Sequence, residues 1–386
     1  VTVTGPQGFR AAGVAAGIKA SGALDLTLVV NDGPLDVAAG VFTRNVIKAA
    51  PVLWSQEVLK QRKLKAVVLN SGGANAATGP GGFQDTHATA EKVAEVLETG
   101  AIEVAVCSTG LIGERLPMAA VLSGVDSAVK ALGTTPEAGL NAAKGVMTTD
   151  SRPKEAFARH ENGWSAGGFA KGAGMLAPNL ATMLSVLTTD AVVDRKTLDR
   201  ALRAATHVTF DRLDVDGGTS TNDTVLVLAS GASGVEPTEA ELTELLTAVS
   251  HDLVLQLRAD SEGATKDVDI TVRGATSESD AVVVARTIAE DNLVKTAFFG
   301  SDPNWGRIAM ALGRAPARLD PETLSISING VTLFAAGTTA EDRSAADLTG
   351  RAIDVVVDLG VGSAAATIYT TDLSHGYVEE NSAYSS

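Results

Sequence analysis

The stretch KGAGMLAPNLATML, Lys171 to Leu184, decides how this chain is read. A turn punctuated by glycines gives way to an apolar run, Met183 to Leu187, broken only by Ser185. Such a run reads as the start of a buried strand. Thr182 stands where the loop enters that strand, directly after the small residue Ala181. As structure, it is an ordinary β-branched strand residue. As chemistry, it is a nucleophile that cutting the preceding peptide bond activates. The freed α-amine, with an ordinary pKa of roughly 7.7–8.0, can act as base for the hydroxyl on the same residue.

Outward from this point the chain alternates between strand-like and helix-like segments. Strands are expected at 26–30, 65–70, 104–107, 182–187, 224–228, 268–272 and 353–358. Helices are expected at 84–98, 118–132, 137–146, 196–207, 239–258 and 279–290. The helix from Glu239 carries Leu242, Leu245, Leu246, Val249, Leu253 and Leu257, mostly at three- and four-residue steps, which makes a stripe to bury. Mixed elements with short connections give an α/β or α+β class.

With 386 residues the chain can bury a large core, and 4% aromatic content means that Ala, Val and Leu must build it. A net charge of −15 argues against a nucleic-acid partner, which requires a basic face. No run reaches the 18 or so apolar residues of a membrane span. The single cysteine, Cys107, rules out an intramolecular disulfide and a cysteine-rich metal site. Inside an apolar strand it reads as a small buried filler. No charged-then-apolar secretory segment opens the sequence, so the expected location is cytoplasmic. The histidines, His87, His160, His207, His251 and His375, lack metal-ligand spacing.

The glycine-rich run SGGANAATGPGG, 71–82, lies between an expected strand and an expected helix. A helix N-terminus attracts anions. The run nevertheless lacks the Lys-Ser/Thr ending of a P-loop and places Asp85 in the first turn, which favours a close-approach turn over a phosphate cradle. No G-x-G-x-x-G signals a dinucleotide fold. Thr-Thr-Asp recurs at 148–150, 188–190 and 370–372 and reads as strand-end turn chemistry. The segment SDPNWGR, 301–307, is expected to form a structured turn before a helix, Asp302 and Pro303 suiting its start.

Several of these segments, taken in order, carry a family likeness. GFRAAGVAAGIK (8–19), VAVCSTGLIGERLPM (104–118), VMTTDSRPK (146–154), KGAGMLAPNLATML (171–184), RADSEGATK (258–266), KTAFFGSDPNWGRI (295–308) and TTDLSHGYVEENSAYSS (370–386) resemble the ornithine acetyltransferase family, or bifunctional glutamate N-acetyltransferases, of arginine biosynthesis. The likeness spans nearly the whole chain.

That resemblance implies an αββα-type sandwich, cut by its own chemistry between Ala181 and Thr182. An α-chain of residues 1–181 and a β-chain of residues 182–386 then stay together, commonly as α2β2. It implies transfer of acetyl from N2-acetylornithine to glutamate through acetyl-Thr182, with no metal or organic cofactor. Acetyl-CoA stands open as a further donor. Thr109 and Gly110 match the oxyanion hole. Thr148, Lys171, Thr182, Glu262, Asn381 and Ser386 match substrate contacts. Lys171 suits a carboxylate or carbonyl and Glu262 the ammonium of ornithine. Roles for Asn381 and Ser386 require a pinned C-terminal tail, since chain ends ordinarily fray. Two rivals stand beside this reading: a hydrolase or aminopeptidase of the same scaffold, and an uncleaved ligand-binding protein in which Thr182 is structural.

Overall fold

The computed structural model describes residues 2–176 and 183–383. The chain divides into two compact units. Unit 1 holds the described residues of Val1–Asp211 and Gly218–Leu257, and unit 2 those of Arg212–Gly217 and Arg258–Ser385.

Unit 1 is built on two sheets. The first, in the order β1-β2-β4-β5, contains β1 (Phe9–Val14), β2 (Leu26–Asn31), β4 (Ala66–Ser71) and β5 (Val104–Thr109). The second, in the order β3-β9-β8-β7-β6, contains β3 (Val37–Phe42), β6 (Lys154–Arg159), β7 (Ser165–Lys171), β8 (Leu184–Thr189) and β9 (Thr224–Ala229). Every residue of β2, β4, β5, β7, β8 and β9 is buried, as expected for strands covered on both faces. One core cluster joins Val29, Val67, Leu69 and Cys107 of the first sheet to Phe169, Leu184, Val186 and Leu226 of the second, so the sheets pack face to face.

Helices cover the outer faces. Helix α1 (Ala50–Val58) borders β5 through Ser55, whose hydroxyl donates to the Val106 carbonyl. Helices α2 (Gly79–Leu97) and α3 (Met118–Ala131) bury Val93, Val121 and Val125 against Leu28, Val68 and Val106. Helix α4 (Pro136–Lys144) packs by β1, α5 (Arg195–Val208) by β3, and α6 (Glu239–Ala259) bonds to β6 through Gln256 and the Glu155 carbonyl. Helix, sheet, sheet and helix succeed one another, which is the expected αββα layering. The expected stripe of α6 is buried at Leu242, Leu246, Val249, Leu253 and Leu257.

Unit 2 carries the sheet β13-β12-β11-β14-β10-β15. Its strands are β10 (Asp267–Ala275), β11 (Ser325–Ile328), β12 (Val331–Ala335), β13 (Thr338–Thr339), β14 (Ala352–Asp358) and β15 (Ala364–Thr371). Val268, Ile270 and Val272 of β10 and Ile353, Val355 and Val357 of β14 are buried at alternate positions, so this sheet buries one face. Helix α7 (Glu278–Ala289) covers it with Ala281, Val284, Ala285, Ile288 and Ala289. Helices α8 (Asn292–Phe299) and α9 (Trp305–Leu312) follow, and α10 (His375–Ala383) closes the described chain.

Two local expectations meet the structure differently. The SDPNWGR turn does precede a helix, but the cap is Asn304, whose side chain accepts the Arg307 N–H. Thr-Thr-Asp ends strands β8 and β15, whereas the copy at 148–150 follows α4 and ends no strand.

Candidate active site

Strand β5 is a buried parallel neighbour of β4, and its last residue, Thr109, is buried with it. Beyond it the chain turns sharply at Gly110, with φ of +132°, a region in which L side chains are strained. A Cβ at Gly110 would stand 2.4 Å from the backbone nitrogen of Gly73. This explains the glycine run 71–82 as a close-approach turn: Gly73 donates its N–H to the Thr109 carbonyl at 3.0 Å. Buried amides hold the turn from both sheets. Asn222 Nδ2 donates to the carbonyls of Ala74 (2.6 Å) and Ser108 (2.8 Å), and Asn70 Nδ2 donates to Gly73 (3.1 Å).

Lys171, the last residue of β7, is fully buried, and its ammonium donates to the hydroxyl of Thr109 at 3.1 Å and to that of Thr148 at 2.8 Å. Three of the residues expected to form the site are thus joined at one cation. A buried charge needs a counter-charge, and Asp150 supplies it. Its Oδ1 accepts from the N–H of Gly172 (2.7 Å) and from Lys154 Nζ (2.6 Å), and its Oδ2 from the N–H of Thr148 (3.0 Å). Burial opposes ionisation of Asp150, but the charges of Lys171 and Lys154 and these hydrogen bonds hold its pKa down at about 2. For Lys171 burial lowers the pKa, with Asp150 the main opposing influence. The side chains of Asp150 and Lys154 are both fully buried, and breaking such a pair from one side costs about 3–5 kcal/mol.

Lys171 lies opposite Leu184 across the β7–β8 pair, and Leu184 lies opposite Thr224 across β8–β9. On that second side Asp223 is fully buried, and its Oδ1 accepts the N–H of Met183 at 3.0 Å. Burial pushes Asp223 well above the usual carboxylate range, against the hydrogen bonds from Met183 and Ser220 and the charge of Lys171. Strand β8 therefore begins between a buried lysine and a buried carboxyl group. Ala181 and Thr182, which precede Met183 in sequence, lie outside the described residues, as does Ser386.

Glu262 and Asn381 belong to unit 2, and there they meet: Asn381 Nδ2 donates to Glu262 Oε2 at 2.7 Å. Glu262 is 7% exposed, so its carboxylate is buried in this pairing. Asn381 sits on α10, which is tied to the 261–266 turn. The Gly263 N–H donates to Glu380 Oε1 (3.1 Å), and Gly263 comes so close that a Cβ there would stand 2.1 Å from the Tyr377 nitrogen. Tyr377 Oη in turn donates to Asp216 Oδ2 at 3.1 Å. The described part of the tail is pinned, as a role for Asn381 requires.

Elsewhere Cys107 is buried in the inter-sheet core, and burial raises its thiol pKa to about 12, which makes it a filler rather than a nucleophile. Among the described residues no cluster of three or more His, Cys, Asp or Glu side chains could hold a metal ion. No described helix is long and apolar enough to cross a membrane. Asp150, Lys154, Asn222 and Asp223 were not foreseen as site residues. For Asn222 and Asp223 the available signal was a polar run, TSTND, directly before the apolar strand β9, whereas MTTDSRPK leads into β6, KEAFAR, and carries no such signal.

Comparisons with known proteins place the chain in a family. The family model described as ArgJ family matches residues 10–386. The arginine biosynthesis bifunctional protein ArgJ of Mycolicibacterium paratuberculosis is 62% identical over all of this chain and 96% of its own length. Its namesake from Mycobacterium tuberculosis strain H37Rv is 61% identical with the same coverage. A crystal structure of ornithine acetyltransferase complexed with ornithine, also from M. tuberculosis, is 64% identical over 46% of this chain and 94% of that one, with a TM-score of 0.46. A match over nearly the full length, with relatives of this identity, leaves one assignment: the chain belongs to the ArgJ family.

Proposed function

We propose that this chain is a self-processed, N-terminal-threonine acetyltransferase that moves acetyl from N2-acetyl-L-ornithine to L-glutamate in the arginine pathway of the cytoplasm. The observation that carries the reading is the pair of hydrogen bonds from Lys171 to Thr109 and Thr148, placed beside the start of β8. The full-length likeness to arginine biosynthesis bifunctional proteins supports the substrates.

In the precursor, Thr182 Oγ1 attacks the carbonyl carbon of Ala181. The C–N bond breaks, the nitrogen takes the hydroxyl proton, and an ester remains. Water cleaves that ester, leaving a carboxylate on Ala181 and a free hydroxyl and α-amine on Thr182. The same hydroxyl then attacks the acetyl carbon of acetylornithine, its proton passing through the α-amine to the departing ornithine nitrogen. Glutamate's amine attacks the resulting ester, the C–O bond breaks, and Thr182 regains its proton. The Thr109 hydroxyl and the Gly110 N–H stabilise the oxyanion at each step. No metal or organic cofactor enters this route, and the α and β chains remain together, paired as α2β2.

The deciding experiment follows ornithine release from acetylornithine with and without glutamate. Acetyl transfer predicts release that depends on glutamate, with parallel double-reciprocal lines. Equal release without an acceptor would overturn the transferase in favour of a hydrolase. A parallel arm with acetyl-CoA and glutamate alone reads the second donor. The paired carboxylate Glu262 is assigned to the ornithine ammonium. Glu262→Gln is therefore expected to raise KM for acetylornithine by about 10–100-fold, the cost of a charge-assisted hydrogen bond, with kcat changed far less. Steady-state kinetics at fixed glutamate check it.

A further inference from the structure

We propose that Asp150 is a positioning residue of the acetyl-transfer site: it anchors Lys171 so that the lysine donates to Thr109 and turns that threonine's hydroxyl proton toward the reacting carbonyl. The inference rests on the acetyl-transfer reading for its reaction, and on the geometry of unit 1 for its parts.

A threonine hydroxyl has one proton to give, and its oxygen accepts from others. An ammonium is donor only, so when Lys171 points at Thr109 Oγ1 the hydroxyl proton must leave that direction. The same holds at Thr148. One charged lysine thus fixes the polarity of two hydroxyls, one expected to serve the oxyanion and one the substrate. A neutral lysine amine can instead accept a proton from either hydroxyl, and the polarity is lost.

Asp150 secures that arrangement in two ways. It grips the backbone on both sides of the cluster, at the N–H of Thr148 and at the N–H of Gly172, the residue after Lys171. It also supplies the main negative charge facing the lysine. The other charged groups that face Lys171 are Asp223, which favours its charge, and Lys154 and Lys19, which oppose it. Lys154 is itself held on Asp150, and Lys19 donates to the carbonyls of Leu24 and Met147. Removing the charge of Asp150 leaves Lys171 buried, with two cations against one carboxyl group whose own ionisation burial disfavours.

The sign of the effect follows. Lys171 must be protonated to act, so its deprotonation sets the alkaline limb of the kcat profile. Free α-amine on Thr182 sets the acid limb. Asp150→Asn lowers the Lys171 pKa further, and the alkaline limb moves to lower pH by about one unit, the usual scale for losing a close opposite charge. The acid limb stays and the bell narrows. Asp150→Glu keeps the charge and leaves the limb at its wild-type position, even where activity falls.

The experiment measures kcat against pH for wild type, Asp150→Asn and Asp150→Glu. In parallel, the Cε resonance of Lys171 is titrated in protein carrying 13C-labelled lysine and is identified by its loss in Lys171→Arg. The expected result is a shift to lower pH of both the limb and the resonance in Asp150→Asn alone. A fall in kcat with neither shifted reduces Asp150 to a structural part and overturns the proposal. Where Asp150→Asn does not fold, Asp150→Asn with Lys154→Met removes the buried pair together. The shift then keeps its direction and is smaller, because the repulsion from Lys154 has gone as well. The resonance reads the network without substrate, so a wild-type protein that fails to transfer acetyl refutes the functional reading and leaves this test standing.

Discussion

Thr182→Ala is expected to give one uncut, inactive chain. On the proposed route the two losses have a single cause, because one hydroxyl opens the Ala181–Thr182 bond and later carries acetyl. Intact-mass measurement on freshly purified protein reads the first loss, and ornithine release reads the second. Wild type is expected as two species dividing at 181/182 and the variant as one, with turnover at the background of the assay. Thr182→Ser keeps a hydroxyl and is expected to be cut, more slowly, and to retain activity. Abundant cleavage of the alanine variant would contradict self-cleavage by Thr182, and a single full-length species in active wild type would remove it altogether. The setting of β8 supports the prediction. Met183 is buried and tied to Asp223, while Leu184 is locked between Lys171 on one side and Thr224 on the other.

How far the sequence alone reaches is clearest where burial is two-sided. Strands β2, β4, β5, β8 and β9 were legible because a strand covered on both faces is an unbroken apolar run, as in VAVCST or TVLVLA. Strands β1, β3, β6 and β7 are rich in Ala and Gly, and no period marks them. Gly167 and Gly168 in β7 exist for contact, since a Cβ at either would stand 2.6 Å from a backbone carbonyl oxygen. The site followed the same logic. Family likeness gave Thr109, Gly110, Lys171 and Thr148. Asp150 and Asp223 could not be assigned that way, because their roles arise from partners far along the chain: Gly172 for the one and Met183 for the other. An acidic residue after Thr-Thr looks alike at 150, 190 and 372, yet Asp190 and Asp372 cap backbone and hydroxyl groups at strand ends whereas Asp150 pairs with the buried Lys154 and faces the charge of Lys171.

Thr109→Val is expected to lower kcat by about 10²–10³-fold with little change in KM, the usual consequence of losing one oxyanion donor. Valine keeps the shape and removes only the hydroxyl, and Lys171 retains Thr148 as a partner, so the fold stays intact. On the proposed route the precursor's tetrahedral intermediate and the acetyl-transfer intermediate arise at the same Thr182 hydroxyl and call on the same donors. Self-cleavage should therefore slow together with turnover, and a time course of intact mass during expression reads it beside stopped acetyl-transfer assays. Thr109→Ser restores the hydroxyl and is expected to recover both rates to within about tenfold. Gly110→Ala is a different kind of change. Its N–H survives, but φ of +132° and a Cβ only 2.4 Å from Gly73 N force the two turns apart, so stability falls along with both rates. The pair of variants separates donor from scaffold: Thr109→Val with an unchanged melting temperature and lost chemistry identifies the hydroxyl as a donor. Retention of kcat within about threefold in that variant would mean that Lys171 points at a threonine with no part in the reaction.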